Sequence, residues 1–330
     1  MRPFLARHWF LLVLCGGVVL TCAWPEAVRP AVAWLPPRGV VAVALFLMAW
    51  GLDSRRLFLA VVRPGPALWA VAVSYLALPL LALGVGHFLP ADLALGLLLI
   101  ASVPCTLASA QLWTRLAGGN EAVALLVVLL TTSLSWLATT WWLTTAAPVP
   151  TATPSAALMS SLFVVLIGPV GAGQLARLLP GMPELAVRYR KPLSIVAQLF
   201  VLSIILKATV DVPACVSSLS ALAVPATLLA CAGTHLAALA LGLWGGRALR
   251  FAHADCVAVA FACSQKSLPV ALSLFQVFYH DSYPLAVVPL AVYHVGQLVL
   301  DTFIAEQMTP KCQSLQNAKC QAIPPSEPGA

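Results

Sequence analysis

Charge is what this sequence has least of. Only 9% of its 330 residues are Asp, Glu, Lys or Arg, while 61% are hydrophobic. A water-soluble domain carries roughly a quarter charged residues. Too few polar side chains remain to cover a surface in water, so the composition excludes a soluble domain and predicts an integral membrane protein. The net charge of +7 does not restore a nucleic-acid reading. The basic residues sit in short loops between apolar runs, where they set membrane orientation. Cysteine occurs nine times, but without C-x-x-C or zinc spacing. Most cysteines lie inside apolar runs and read as small buried hydrophobes. No metal site and no cofactor is expected. No glycine-rich phosphate loop is present, which argues against ATP-driven transport by this chain alone.

Apolar runs bounded by charge or proline predict ten spanning helices, at about residues 9–24, 39–52, 67–89, 93–115, 121–146, 157–178, 192–210, 219–246, 256–278 and 284–306. Most approach the ~20 residues that cross a ~30 Å hydrocarbon layer. The second is short, and loop charge tests whether it crosses. With ten crossings, one side holds Arg2, Arg7, Arg55, Arg56, Arg63, Arg115, Arg177, Arg188, Arg190, Lys191, Arg247, Arg250, Lys311 and Lys319. The other holds Arg29, Arg38 and Lys207. Dropping the second span scrambles this bias, so all ten are retained and both termini are placed in the cytoplasm, in a plasma or inner cell membrane. Arg2 and Arg7 ahead of an apolar run imitate a signal peptide. Neither Cys15 nor Cys22 follows the small residues of a lipoprotein cleavage site, so the segment is expected to remain as the first span. Residues 307–330 are polar, with Pro324, Pro325 and Pro328, and read as a disordered cytoplasmic tail.

Five predicted spans fall in residues 1–147 and five in 148–306. An odd number of helices per half inverts one half relative to the other. The fourth helix of each half carries that half's most polar, proline-interrupted stretch. In the first half it is Ser102-Val103-Pro104-Cys105-Thr106-Leu107-Ala108-Ser109, and in the second Cys263-Ser264-Gln265-Lys266-Ser267-Leu268-Pro269. Pro104 and Pro269 each remove an N–H and free a carbonyl. Freed groups survive in lipid only against protein or a wet cavity. Two such breaks at matching positions point to a transporter's binding site. Ordinary proline kinks are the bland alternative.

Lys266 lies about eleven residues into its span, too deep to snorkel easily, where a charge costs roughly 2.5–3.5 kcal/mol to insert. No carboxylate is expected at its depth, because Asp301 lies near the end of the last span and Glu121 at a helix start. Its expected partners are neutral: freed carbonyls of both breaks, Thr106, Ser109, Ser264, Gln265 and Ser267. It reads as a fixed internal cation, a proton carrier, an anion anchor, or a structural ammonium tying the breaks together. His294 and Gln297, three residues apart, share one face of the tenth helix. They read as a coupling or substrate pair, or as a hydrogen bond between helices. Ser74, ahead of Pro79, is expected to face the site. Asn120 is expected to cap the fifth helix.

Four stretches carry a resemblance to a known family: Val103-Pro104-Cys105-Thr106 with Ala108-Ser109; Gly118-Gly119-Asn120-Glu121-Ala122; Cys263-Ser264-Gln265-Lys266-Ser267-Leu268; and Val288-Pro289-Leu290 with Tyr293-His294. In this order and spacing the chain resembles the bile acid:sodium symporter superfamily (solute carrier family 10), most closely its seventh-member branch and bacterial relatives. The resemblance implies an all-α polytopic membrane protein with ten transmembrane helices in two inverted five-helix repeats. Its discontinuous fourth and ninth helices cross at mid-membrane. Helices 1, 2, 6 and 7 form a panel domain, helices 3–5 and 8–10 a core domain, and alternating access moves one against the other.

Sodium-coupled relatives hold two sodium ions with a glutamate, an asparagine, hydroxyls and a glutamine. The matching places here look like Phe261, Ala110, Ala124 with Val128, and Ser74. Gln265 and Ser109 remain, and Lys266 looks to replace the asparagine beside Gln265. The expected function is therefore secondary transport of a small organic anion, with an ammonium standing where sodium would sit. Sodium is disfavoured as the coupling ion, and Lys266 or His294 is a candidate proton carrier. A sodium-coupled organic anion symporter and a non-transporting membrane regulator are the alternatives. Arsenite efflux through Cys105, and an intramembrane enzyme built on Cys105 and His294, rest on thinner patterns. None of these signals specifies an oligomeric state.

Overall fold

The computed structural model describes residues 12–14, 16–21, 23–51, 63–107, 109–149, 154–210, 212, 217 and 219–308. The expectations for the extreme N-terminus and for the tail fall outside these residues. Every regular element among them is helical. In chain order they are α1 (Pro25–Ala33), α2 (Pro37–Trp50), α3 (Gly65–Gly86), α4a (Ala91–Ser102), α4b (Ser109–Leu116), α5 (Glu121–Thr145), α6 (Ser155–Ala176), α7 (Arg190–Thr209), α8 (Ala223–Ala248), α9a (His253–Ser264), α9b (Leu268–Phe278) and α10 (Val287–Met308). A short helix, Met182–Arg188, leads into α7.

Six elements are long and apolar enough to cross a membrane: α3, α5, α6, α8, α9a with α9b, and α10 with the turn before it. The number rises to eight if two bent pairs each count as one span, Leu12–Thr21 with Pro25–Ala33 and Met182–Arg188 with Lys191–Lys207. Pro37–Trp50 and Ala91–Ser102 are apolar but shorter. The span predicted at 93–115 is two helices, and that at 256–278 is also divided. Helix starts follow local chemistry. Asn120 Oδ1 accepts from the Ala122 N–H at 3.1 Å, capping α5 as expected. Pro37 and Pro269 occupy first-turn positions, where no N–H is needed.

The most enclosed helix pair is α9a–α9b. His253–Phe278 is 94% buried, against 33–56% for the other spanning helices, so it forms the axis around which the rest pack. Along α8, Gly242 and Gly246 recur four residues apart on the face against α9a. A Cβ on Gly242 would lie 2.7 Å from Cys263 Sγ, and one on Gly246 3.2 Å from Cys256 Sγ. Small residues at this spacing let helix backbones approach closely in lipid, where no hydrophobic effect draws them together. On the other flank α2 packs against α6 and α7. The bond from Gln174 to the Ala49 carbonyl and that from Arg177 to the Trp50 carbonyl fasten the end of α2. Leu76, Leu80, Leu229 and Phe303 are exposed apolar side chains on spanning helices, as lipid-facing positions require.

Candidate functional site

Two chain breaks meet inside the bundle. α4a ends at Ser102 because Val103, preceding Pro104, is held extended (φ −75°, ψ 163°). α9a ends at Ser264, after which Gln265 (ψ 127°) and Ser267 (ψ 98°) are extended. The breaks touch directly, with Ser267 N–H donating to the Pro104 carbonyl at 3.0 Å. The two proline-marked stretches are thus in contact.

The backbone groups freed by the breaks find partners within the protein. Thr139 Oγ1 donates to the Ser102 carbonyl at 2.7 Å, and Lys266 Nζ to the Val103 carbonyl at 2.9 Å. Tyr293 OH donates to the Ser264 carbonyl at 2.9 Å. Gln297 clamps the Lys266 backbone from both ends: Oε1 accepts from its N–H at 2.9 Å and Nε2 donates to its carbonyl at 3.0 Å. The Cys105 N–H reaches Thr131 Oγ1 at 3.3 Å. Lipid offers no alternative partner, so this pairing lets irregular backbone persist at depth.

Lys266 is fully buried, and its amine has three oxygen acceptors: Ser74 carbonyl 2.9 Å, Ser74 Oγ 2.8 Å and Val103 carbonyl 2.9 Å. Three N–H bonds thus meet three neutral oxygens, with the Tyr75 ring 5.2 Å from the nitrogen. The Ser74 carbonyl is free for a local reason. The five residues Val73–Ala77 form a π-turn within α3, directly ahead of Leu78 and Pro79. Pro79 has no N–H, so the carbonyls four and five residues back lose their helical donor. Those are Tyr75, which instead accepts from Trp142 Nε1 at 2.7 Å, and Ser74, which accepts from Lys266. Ser74 therefore faces the site as expected. The expected hydroxyl partners of the amine are corrected: the side chains of Thr106, Ser109, Ser264 and Ser267 point elsewhere. Thr106 and Ser109 instead bond each other and Gln265 Oε1. Ser264 Oγ bonds back to the Ala260 carbonyl.

A second correction concerns acid at depth. Asp301 is fully buried and accepts from Gln265 Nε2 at 2.5 Å. Its other oxygen lies 2.9 Å from His235 Nε2 on α8. α10 runs on to Met308, which puts Asp301 about two turns inside the helix rather than at its edge. His235, near the middle of α8, was missed altogether; a histidine that deep in an apolar run was the available signal. Asp301 and Lys266 do not pair with each other; they attach to the crossing through different residues. His294 Nδ1 meets Gln297 Nε2 at 2.9 Å, and its Nε2 has no hydrogen-bond partner. Cys105 Sγ contacts the Thr106 carbonyl rather than His294.

The face of the crossing with some exposure is formed by Thr106 and Ser267, with Ser109 half-buried beside them. α4b and α9b both begin here, so two helix N-termini approach the same place. Phe261, Ala110, Ala124 and Val128 are fully buried apolar side chains and offer no side-chain oxygen to a hard cation. Among the described residues no cluster of three His, Cys, Asp or Glu is placed to hold a metal.

Comparison with known proteins agrees with this architecture. The profile of the SBF-like CPA transporter family (DUF4137) matches residues 8–310. The chain is also 26% identical over 215 residues to sodium/bile acid cotransporter 7 of Danio rerio, a match covering 63% of each chain and so under two thirds of that relative's length. Both findings bear out the resemblance to the bile acid:sodium symporter superfamily and its seventh-member branch. This multi-pass integral membrane protein belongs to the SBF-like CPA transporter family.

Proposed function

We propose that the chain is a secondary transporter of an organic anion that works by alternating access without bound sodium. The observation carrying this reading is the Lys266 amine at the crossing of the two broken helices, held by three neutral oxygens and by no carboxylate. A sodium ion within ~4 Å of it would be repelled by ~4 kcal/mol at an effective dielectric of 20. The apolar residues Phe261, Ala110, Ala124 and Val128 supply nothing to offset that. The anion reading rests on the ammonium and on the two helix N-termini that open onto Thr106, Ser109 and Ser267.

In this reading the chain makes ten crossings in two inverted five-helix repeats, residues 1–147 and 148–306. Ser264, Gln265, Lys266, Ser267, Thr106 and Ser109 form the site, with Ser74, His294 and Gln297 supporting it. The packing of α2 against α6 and α7 supports a panel domain set apart from a core built around α9a–α9b. Lys266 then holds the third and fourth helices together within the core while core and panel move.

The test begins with a thermal-shift screen of purified protein against organic anions, since a ligand that binds the native state raises apparent stability. A hit is then followed by solid-supported-membrane currents in proteoliposomes. Flux is expected to persist unchanged when choline replaces sodium. A steep sodium dependence in the wild type overturns the reading.

A further inference from the structure

His235 and Asp301 come from different helices, α8 and α10, and both are fully enclosed, at 1% and 0% side-chain exposure. The pair holds the ninth-helix break from two sides. Asp301 Oδ2 accepts from Gln265 Nε2, while Oδ1 lies 2.9 Å from His235 Nε2. The other ring nitrogen, Nδ1, lies 3.3 Å from the Ser264 carbonyl. Each imidazole nitrogen therefore faces an oxygen. A carbonyl only accepts, so the Ser264 contact needs a proton on Nδ1. The Asp301 contact needs another proton, between Nε2 and Oδ1. A neutral imidazole beside a carboxylate has only one proton for these two places. The observed geometry is complete when the pair carries one proton more.

That extra proton also settles the charge. Imidazolium with carboxylate, or imidazole with carboxylic acid, is net neutral. Without the proton the pair carries a net negative charge in a water-excluded interior, and one of its two contacts sets lone pair against lone pair. The pair meets consecutive residues of the break, His235 at the Ser264 carbonyl and Asp301 at the Gln265 side chain. Gln265 passes the connection on to Thr106 and Ser109 at the fourth-helix break. Proton release is thereby tied to the backbone that forms the crossing.

Other titratable and charged groups surround the pair. On α10 itself Tyr293 stacks edge-on to His235 at 5.7 Å, with its hydroxyl on the Ser264 carbonyl, and His294 is bonded to Gln297. Cys231 lies one turn away on α8, and Cys263 of α9a and Cys105 of the fourth-helix break lie within electrostatic reach of Asp301; Lys266 follows Gln265 in the ninth-helix break, with its amine turned to Ser74 and Val103. Lys266 has all three N–H bonds committed to other oxygens. The remaining charged residues on the packed elements sit toward helix ends: Arg247 on α8, Asp255 on α9a, Asp92 on α4a, Arg115 on α4b, Glu121 on α5, Arg190, Lys191 and Lys207 on α7 and Glu306 on α10.

We propose that the His235–Asp301 pair is a proton-binding site whose occupancy sets the state of the crossing through Ser264 and Gln265. The inference deepens the transport reading, assigning the coupling proton to this pair rather than to Lys266 or His294. The test needs no transported solute. Full-length protein is reconstituted in liposomes, and substrate-free pH jumps are recorded on a solid-supported membrane, where protons entering a buried site give a transient charge displacement. Wild type is expected to show a transient that Asp301→Asn and His235→Gln reduce to the protein-free level. Lys266→Met and His294→Gln are expected to keep it. Gln265→Leu is expected to keep it with its midpoint displaced by about one pH unit or more. Retention of the wild-type transient in His235→Gln or Asp301→Asn, or its loss in Lys266→Met or His294→Gln, overturns the proposal. Monodisperse elution qualifies each variant, and if Asp301→Asn does not fold, His235→Gln decides. A wild type with no transient but with sodium-independent flux overturns this inference alone. A sodium-dependent flux with the transient intact overturns the transport reading alone.

Discussion

Lys266 shows how one residue organises a region. An ammonium deep in an apolar span is tolerable only if its N–H groups are met by oxygen, and all three are, by Ser74 and Val103. Lys266→Met keeps much of the side-chain length and removes the donors. The Ser74 and Val103 oxygens are then left buried and unpaired, an effect of about 1–3 kcal/mol. The unfolding midpoint in detergent is expected to fall accordingly, and an unchanged midpoint would deny the amine any tying role. The amine was legible in the sequence because a charge inside an apolar run stands out against its neighbours. Its partners were less so. Ser74 was picked out by its place ahead of Pro79, but its use of the backbone carbonyl depends on a local π-turn. The Thr106 and Ser109 hydroxyls were recognised as site residues and assigned to the wrong partner, because spacing cannot say which residue of the other break lies opposite. His235 went unnoticed and Asp301 was judged too close to a helix end. Their pairing is a contact between α8 and α10 that no local pattern encodes.

At the scale of elements, proline placement explains most of the geometry. Pro104 lies within the fourth-helix break, and Pro269 lies in the first turn of α9b, just after the ninth-helix break at Gln265–Ser267. Pro79 does something subtler in α3: it leaves the Tyr75 carbonyl without a helical donor, and Trp142 of α5 fills that place. Trp142 is buried while the adjacent Trp141 is exposed. A double-mutant cycle tests the connection. Trp142→Phe is expected to cost about 1 kcal/mol in the wild-type background. The cost is expected to shrink in Pro79→Ala, where residue 79 regains an N–H for the Tyr75 carbonyl. Additive effects in the cycle, read by denaturant or thermal unfolding, would separate the two residues. Element boundaries followed hydropathy less faithfully than break positions did. Apolar runs continue through turns such as Phe88-Leu89, where the helix has already ended.

At the scale of the whole molecule, the sequence's charge asymmetry carries a topological prediction. With ten crossings and basic loops in the cytoplasm, the turn after α3 and the turn after α6 lie on opposite sides. Phe88 and Leu178 are well exposed in those turns, at 86% and 78%. A membrane-impermeant thiol reagent added to intact cells is expected to label Phe88→Cys and to leave Leu178→Cys unlabelled. Labelling of both positions, or the reverse pattern, would break the ten-crossing assignment. Of the four short stretches that carry the family resemblance, two hold the polar residues of the crossing, Thr106 with Ser109 and Ser264 to Ser267. The bundle's enclosed axis, α9a–α9b, holds the amine, the glutamine and both contacts of the His–Asp pair, so the proposed chemistry and the centre of packing coincide.

The account's central claim is that an ammonium occupies the place a coupling sodium ion would take. Equilibrium binding of radioactive sodium to the purified protein tests it without knowledge of the solute. No saturable sodium binding is expected in wild type at mildly acidic pH, where the amine is charged. A stoichiometric, saturable sodium site would contradict the account.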